Sequence, residues 1–242
     1  MSCSCETGPL YDLTDQTDFL VKALEDDRLL NTIPIEDAIS EGIIAARKKV
    51  FELAKSFVTK ITKGPEEGFT TPDEIFRNVF KKGITLAIHT GFERGKSDVK
   101  DTSLSYIDEA IERYSDDRID IEANLLSSYT TGIVRKAISD GLYQLETRAQ
   151  LTKRVQDALE SISPSMANNV ARTLASLFAN EGRLSAYSQA GVEKVEFVAV
   201  PTHCPICDEF AGKIYTLEQA HGKIPVHNRC RCSWLAIFPE RR

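Results

Sequence analysis

From Ile35 to Ile61 the apolar residues return every three or four positions. Ile35, Ala38, Ile39, Ile43, Ala46, Val50, Leu53, Ala54, Phe57 and Ile61 share one side, and Glu41, Arg47, Lys48, Glu52 and Lys55 the other. This period predicts a long amphipathic helix of about seven turns. Pro34 suits its first position, with Thr32 or Ile33 just outside, and KGPEEG at 63–68 stops it. A second helix is expected from TPDEIF, with Thr71 as cap, Pro72 in the first turn and Glu74 completing a capping box. Ile75, Val79, Leu86 and Ile88 to Phe92 mark its buried side, and GFERGKSD at 91–98 is expected to end it. Further helices follow at 119–144 (Ile121, Leu125, Ile133, Ala137, Ile138, Leu142) and at 147–161 (Leu151, Val155, Ala158, Leu159). The last opens with Ser163 as cap and Pro164 at the first position. It runs through Met166, Val170, Leu174, Leu177, Phe178 and Leu184 and closes at Gly191, a left-handed cap. A shorter amphipathic helix is expected at 15–31, and 1–14 reads as a disordered tail.

After Gly191 the period changes. VEKVEFVAV (192–200) alternates and is β-branched, so it predicts a strand; KIYTL (213–217) and CSWLAIF (232–238) predict two more. The expected fold is mostly α: long amphipathic helices with a small C-terminal β-rich, metal-binding subdomain, α+β in class. The expected division is a tail at 1–14, a helical region at 15–145 and a C-terminal domain at 146–242.

Composition adds limits. With 242 residues, 42% hydrophobic and 27% charged, the chain is long enough for a sizeable core. A net charge of -6 argues against a protein that coats nucleic acid. No apolar run approaches the ~20 residues of a membrane span. The start, MSCSCETGPLYDLTDQ, lacks a secretory pattern, so the expected compartment is a reducing cytosol. Residues 101–122 hold eight carboxylates against two arginines and predict a solvated acidic face.

The densest chemistry is HCPICDEFAGKIYTLEQAHGKIPVHNRCRC, from His203 to Cys232. Cys204 and Cys207 form a C-x-x-C knuckle, and His227 and Cys230 an H-x-x-C pair with the same internal spacing. Between the pairs lies a spacer of hairpin size. Two such turns brought together supply the four donors of tetrahedral zinc. Cys232 makes a fifth candidate, so four of Cys204, Cys207, His227, Cys230 and Cys232 are expected to bind, with Cys230 and Cys232 competing. One structural Zn2+ per chain is the expected cofactor. His203 and His221 are weaker candidates, and His89 reads as an ordinary helical histidine. Cys3 and Cys5 belong to the tail. No H-x-E with P-C-x-x-C deaminase pattern, helical H-E-x-x-H or phosphate-cradling glycine loop is present, so no enzyme is expected.

The stretch HCPICDEFAGKIY…IPVHNRCRC, with ANNVARTLASLFANEGRLSAYSQAGVEKVEFVAV before it, resembles the C-terminal signature of the Mu F-like phage head morphogenesis family, over about residues 145 to 235. The resemblance implies a minor head protein of a tailed phage: a structural component of the virion, made in the host cytoplasm and placed at the capsid interior or portal vertex. It implies portal protein and major capsid protein as partners, contact with packaged DNA as a further one, and no membrane. The alternative is a zinc-ribbon nucleic-acid-binding module. Arg229 and Arg231 interleave with the ligands, but from His203 to Arg242 six Lys and Arg face four Asp and Glu, a weak balance for phosphate.

Overall fold

The computed structural model describes residues 30–61, 68–101, 103–104, 109–200 and 204–238. The tail at 1–14 and almost all of the helix expected at 15–31 lie outside them. Among these residues five helices precede the sheet: α1 (Ile33–Ile61), α2 (Glu74–Val99), α3 (Glu109–Tyr143), α4 (Arg148–Leu159) and α5 (Pro164–Gln189). The C-terminal part alternates β1 (Lys194–Val198), α6 (Pro205–Asp208), β2 (Ile214–Thr216), α7 (Leu217–Ala220) and β3 (Ser233–Ile237). The chain is thus mostly helical with one small antiparallel sheet, the α+β class expected from the pattern.

Two compact units interleave along the chain. One takes Ile35–Thr85 and Glu112–Ala171; the other takes the described parts of Met1–Pro34, Leu86–Ile111 and Arg172–Arg242.

In the first unit α1 buries Ile35, Ile39, Ile43, Ala46, Val50, Ala54 and Val58. Ala38 and Leu53, expected on that face, are exposed. Buried Glu36 and Ser40 take part of it instead, and Ser40 Oγ lies 2.5 Å from Asn168 Oδ1. The helix α2 begins at Glu74, three residues beyond the expected cap. Thr71 is buried, accepting a 3.0 Å hydrogen bond from Thr130 Oγ1, while its N–H donates to Thr131 Oγ1 at 2.9 Å. It ties the segment to α3. Phe76 and Phe80 carry the burial expected of Ile75 and Val79. The helix α3 starts at Glu109, ten residues early, and its buried face is not the expected one. Ile119, Ala123, Leu126, Thr130, Val134, Ala137 and Ile138 are buried, whereas Ile121, Leu125 and Leu142 are exposed. Two apolar stripes compete on this helix, and small polar Ser127 and Thr130 lie in the one that packs. The cap of α4 matches the expected start: Thr147 Oγ1 accepts from Gln150 N–H, and the Gln150 side chain accepts from Thr147 N–H.

In the second unit α2 does not stop at Gly91. It runs on to Val99 because its glycines serve a close helix crossing. A Cβ on Gly91 would stand 1.8 Å from the Ala179 carbonyl oxygen, one on Gly182 2.1 Å from that of Ile88, and one on Gly95 2.6 Å from the Ala186 Cβ. Three missing side chains let the backbones of α2 and α5 approach. From Leu174 to Tyr187 every residue of α5 is buried. Its end falls where the sequence predicts. Gly191 has φ +72°, and the Val192 and Gly191 amides donate back to the Tyr187 and Ser188 carbonyls at 3.0 and 3.1 Å.

The sheet order is β2-β1-β3, with both pairs antiparallel. Val195 stands opposite Tyr215 and Ala236, and Phe197 opposite Trp234. β2 is shorter than expected because Thr216 caps α7, accepting from Gln219 N–H at 3.3 Å.

Candidate metal centre

The site grows from two tight turns laid beside the sheet. The first follows β1. Cys204 precedes α6, and Pro205 supplies the fixed φ that starts a helical turn. The Asp208 amide donates to the Cys204 carbonyl at 2.9 Å, and the Phe210 and Ala211 amides to that of Cys207 at 3.0 and 3.1 Å. Gly212, at φ +73°, then reverses the chain into β2, its amide donating to the Phe197 carbonyl. The second turn follows the cis Ile224–Pro225 peptide and closes with the Cys230 amide donating to the His227 carbonyl at 3.2 Å, with Arg229 at φ +66° between them.

These turns converge. His227 Nε2 lies 3.3 Å from Cys204 Sγ and 3.0 Å from Cys207 Sγ, and Cys207 Sγ lies 3.9 Å from Cys230 Sγ. The five donors form two overlapping groups, Cys204–Cys207–His227 and Cys207–Cys230–Cys232, each with its ligand atoms within 4.8 Å of one another. Cys207 belongs to both. In a tetrahedral site with metal–sulfur bonds of about 2.3 Å, neighbouring donors stand about 3.5–3.8 Å apart. The observed separations are close to that size, so the cluster can hold a metal ion.

Second contacts favour the same reading. His227 Nδ1 donates to the Asn228 carbonyl at 2.6 Å. That bond fixes the proton on Nδ1 and leaves the Nε2 lone pair facing the sulfurs. Cys207, Cys230 and Cys232 are each buried to 1% exposure. Three adjacent buried thiols cannot all ionise without a cation. Hydrogen bonds from Cys207, Cys232 and the backbone amides of Cys232 and Val226 hold the Cys230 thiol well below its ordinary range. Donation to Cys230 and Cys232, with burial, pushes Cys207 far up. Cys232 is favoured as an anion by Cys207, but donation to Cys230 and burial outweigh this and push it up to about 12. A bound dication would remove the conflict by stabilising every thiolate it touches.

The sheet and α5 hold the cluster from behind. Leu184, Tyr187, Val195, Phe197, Ile224 and Trp234 surround the three buried cysteines in one core. Asn180 on α5 fixes the start of β3: its Nδ2 donates to the Cys232 carbonyl at 3.1 Å, and its Oδ1 accepts from Trp234 N–H and Ser233 Oγ, both at 3.2 Å. Arg183 is fully buried; its Nε donates to Asp98 Oδ2 at 2.7 Å and its Nη1 to Ser233 Oγ at 2.6 Å. Tyr187 Oη also donates to Asp98 Oδ2, at 2.6 Å. Glu181 accepts from the Gly222 amide at 2.7 Å and pairs with His221 Nδ1 at 2.6 Å. His221 is therefore a partner of α5 and not of the cysteines. His89 is exposed on α2, and His203 lies outside the described residues.

Sequence patterning does not single out Asn180, Glu181, Arg183 or Asp98. The signal available is the polar block NEGR (180–183) inside a helix apolar on both flanks, which a fully buried helix tolerates only where every polar group is matched. Set beside family models, curated proteins and solved structures, the chain matches none. Among the described residues, no helix is long and apolar enough to cross a membrane.

Proposed function

We propose that the chain is a structural assembly protein whose C-terminal end is stapled by one zinc ion, and that it serves as a minor head protein of a tailed phage. The observation that carries the metal reading is the convergence of Cys204, Cys207 and His227, from two separate turns, with Cys230 Sγ 3.9 Å from Cys207. Zinc suits this set because thiolate and imidazole donors in a tetrahedron favour it over harder cations. Cys230 is the fourth ligand in this reading, since its sulfur stands 3.9 Å from Cys207 Sγ and its tight turn is the one that carries His227. Cys232 then lies beside the site as a thiol. Four protein donors leave no open position for a substrate or an activated water, so the ion's work is to hold the turns and the function lies in contacts rather than chemistry. In zinc-finger peptides such an ion supplies on the order of 10–16 kcal/mol of apparent binding energy, which can offset the small core of a three-stranded sheet.

The phage reading is supported by the residues that carry the resemblance, from Ala167 to Cys232. It gives portal and major capsid protein as partners and the capsid interior or portal vertex as the location. The two halves are tested separately. Elemental analysis of the purified chain is expected to give one zinc per chain; none in a folded protein overturns the staple. The chain is expected among the proteins of purified virions and to co-purify with portal protein; absence from virions overturns the assembly role and leaves the zinc reading standing.

A further inference from the structure

In the zinc reading Cys232 is left over, yet its sulfur completes a group with Cys207 and Cys230 that contains no nitrogen donor. The three ligand atoms lie within 4.8 Å of one another, with Cys207 and Cys230 at 3.9 Å. All three residues are buried in the apolar core that holds Leu184, Phe197, Ile224 and Trp234. Each stands on a tied backbone. The Cys207 carbonyl accepts from the Phe210 and Ala211 amides, the Cys230 amide donates to His227, and the Cys232 carbonyl accepts from Asn180. Cys204 and His227, by contrast, are only half-buried. The five donors therefore sort into a mixed sulfur and nitrogen set at the rim and an all-sulfur set inside, joined at Cys207.

We propose that the inner set, Cys207, Cys230 and Cys232, is a site for trivalent arsenic or antimony, taken up as the neutral hydroxide. The step is an exchange with no change of oxidation state. Three S–H bonds and three As–O bonds break, three As–S bonds form, and the three protons leave with the three hydroxides as water. Neutral thiols and a neutral hydroxide thus give a neutral product. That decides the class of ion, because an uncompensated charge in an apolar core is costly. A soft monovalent ion on three thiolates would leave net negative charge among Phe197, Ile224 and Trp234, and a dication would leave some as well. Trivalent arsenic needs three donors and keeps a lone pair, so three sulfurs without a fourth ligand complete it. The tied backbones leave little to be ordered on binding. The proposal rests on the zinc reading in one respect: both ions need Cys207 and Cys230, so each excludes the other.

The test uses the full chain with Cys3→Ser and Cys5→Ser, which removes the two cysteines outside the cluster. Zinc is first counted by elemental analysis and then stripped with a chelator. The metal-free chain is dialysed against arsenite under a phosphine reductant, which does not compete for arsenic as a thiol would. One arsenic per chain is expected. Alkylation with iodoacetamide, read by peptide mass spectrometry, is expected to label Cys204 and spare Cys207, Cys230 and Cys232. Adding Cys232→Ser is expected to abolish the bound arsenic. No arsenic in the parent chain, protection of Cys204 by arsenite, or an arsenic content unchanged by Cys232→Ser overturns the proposal. A chain that arrives without zinc but holds arsenic on these three cysteines sinks the zinc staple and leaves this site standing. One that carries zinc and takes no arsenic does the reverse.

Discussion

Cys207 is the residue on which the candidate centre turns, because its sulfur is common to both donor groups. Cys207→Ser is expected to lose zinc outright, measured as metal per chain after dialysis. Cys230→Ser is expected to lose most of it and Cys232→Ser to retain it; the reverse order would make Cys232 the fourth ligand. The spacing of these cysteines makes the cluster legible from the chain alone. Spacing does not choose among five donors, because H-x-x-C and C-x-C both bring a sulfur within reach of the same ion. His221 makes a different kind of prediction. The hydrogen bond to Glu181 raises its pKa above the ordinary histidine value. Its ion pair therefore contributes stability that is full below about pH 6.5 and is lost as pH rises through the raised folded-state pKa. The thermal midpoint of the wild type is expected to exceed that of His221→Gln at pH 5.5 and to approach it by pH 8.5. A gap that widens with pH would contradict the ion pair.

At the scale of elements, the helix crossing of the second unit depends on groups the sequence disguises. Gly91 and Gly95 read as a helix end, yet they are the points where α2 meets α5. Glycine signals a stop only when nothing else needs the missing Cβ, and the sequence does not show what lies across the interface. Gly182→Ala drives a methyl into the Ile88 carbonyl and is expected to destabilise by about 1–3 kcal/mol in chemical denaturation. Asp98→Asn leaves the buried Arg183 guanidinium without its counter-charge and is expected to cost about 3–5 kcal/mol. The start of α4 at Thr147, the cap at Ser163 and the close at Gly191 are legible, because they depend only on neighbours within a turn. The face of α3 is not: it offers two apolar stripes, and only the packing of Ser127 and Thr130 shows which one lies inside.

At the scale of the whole molecule, removal of metal should separate the sheet end from the helices. Trp234 is the single tryptophan and is fully buried against the cysteine core. Chelation is expected to shift its fluorescence to the red while far-ultraviolet circular dichroism keeps most of its helical signal. Loss of both together would mean that the ion holds more than its own end. The change of period after Gly191 tells where helices give way to strands. The interleaving of two units along one chain has no signature in local pattern, because it is fixed by contacts between residues far apart.

That interleaving sets an order of events during synthesis. The glycine face of α2 at Gly91 must wait for Ala179, roughly 90 residues later, which at ~5–20 residues per second takes several seconds on the ribosome. Through that interval the notched half of α2 lacks α5, the helix its glycines are shaped to meet. A nascent chain halted near residue 171 should therefore be cut readily by protease around Leu86–Val99, and one extended past α5 should resist.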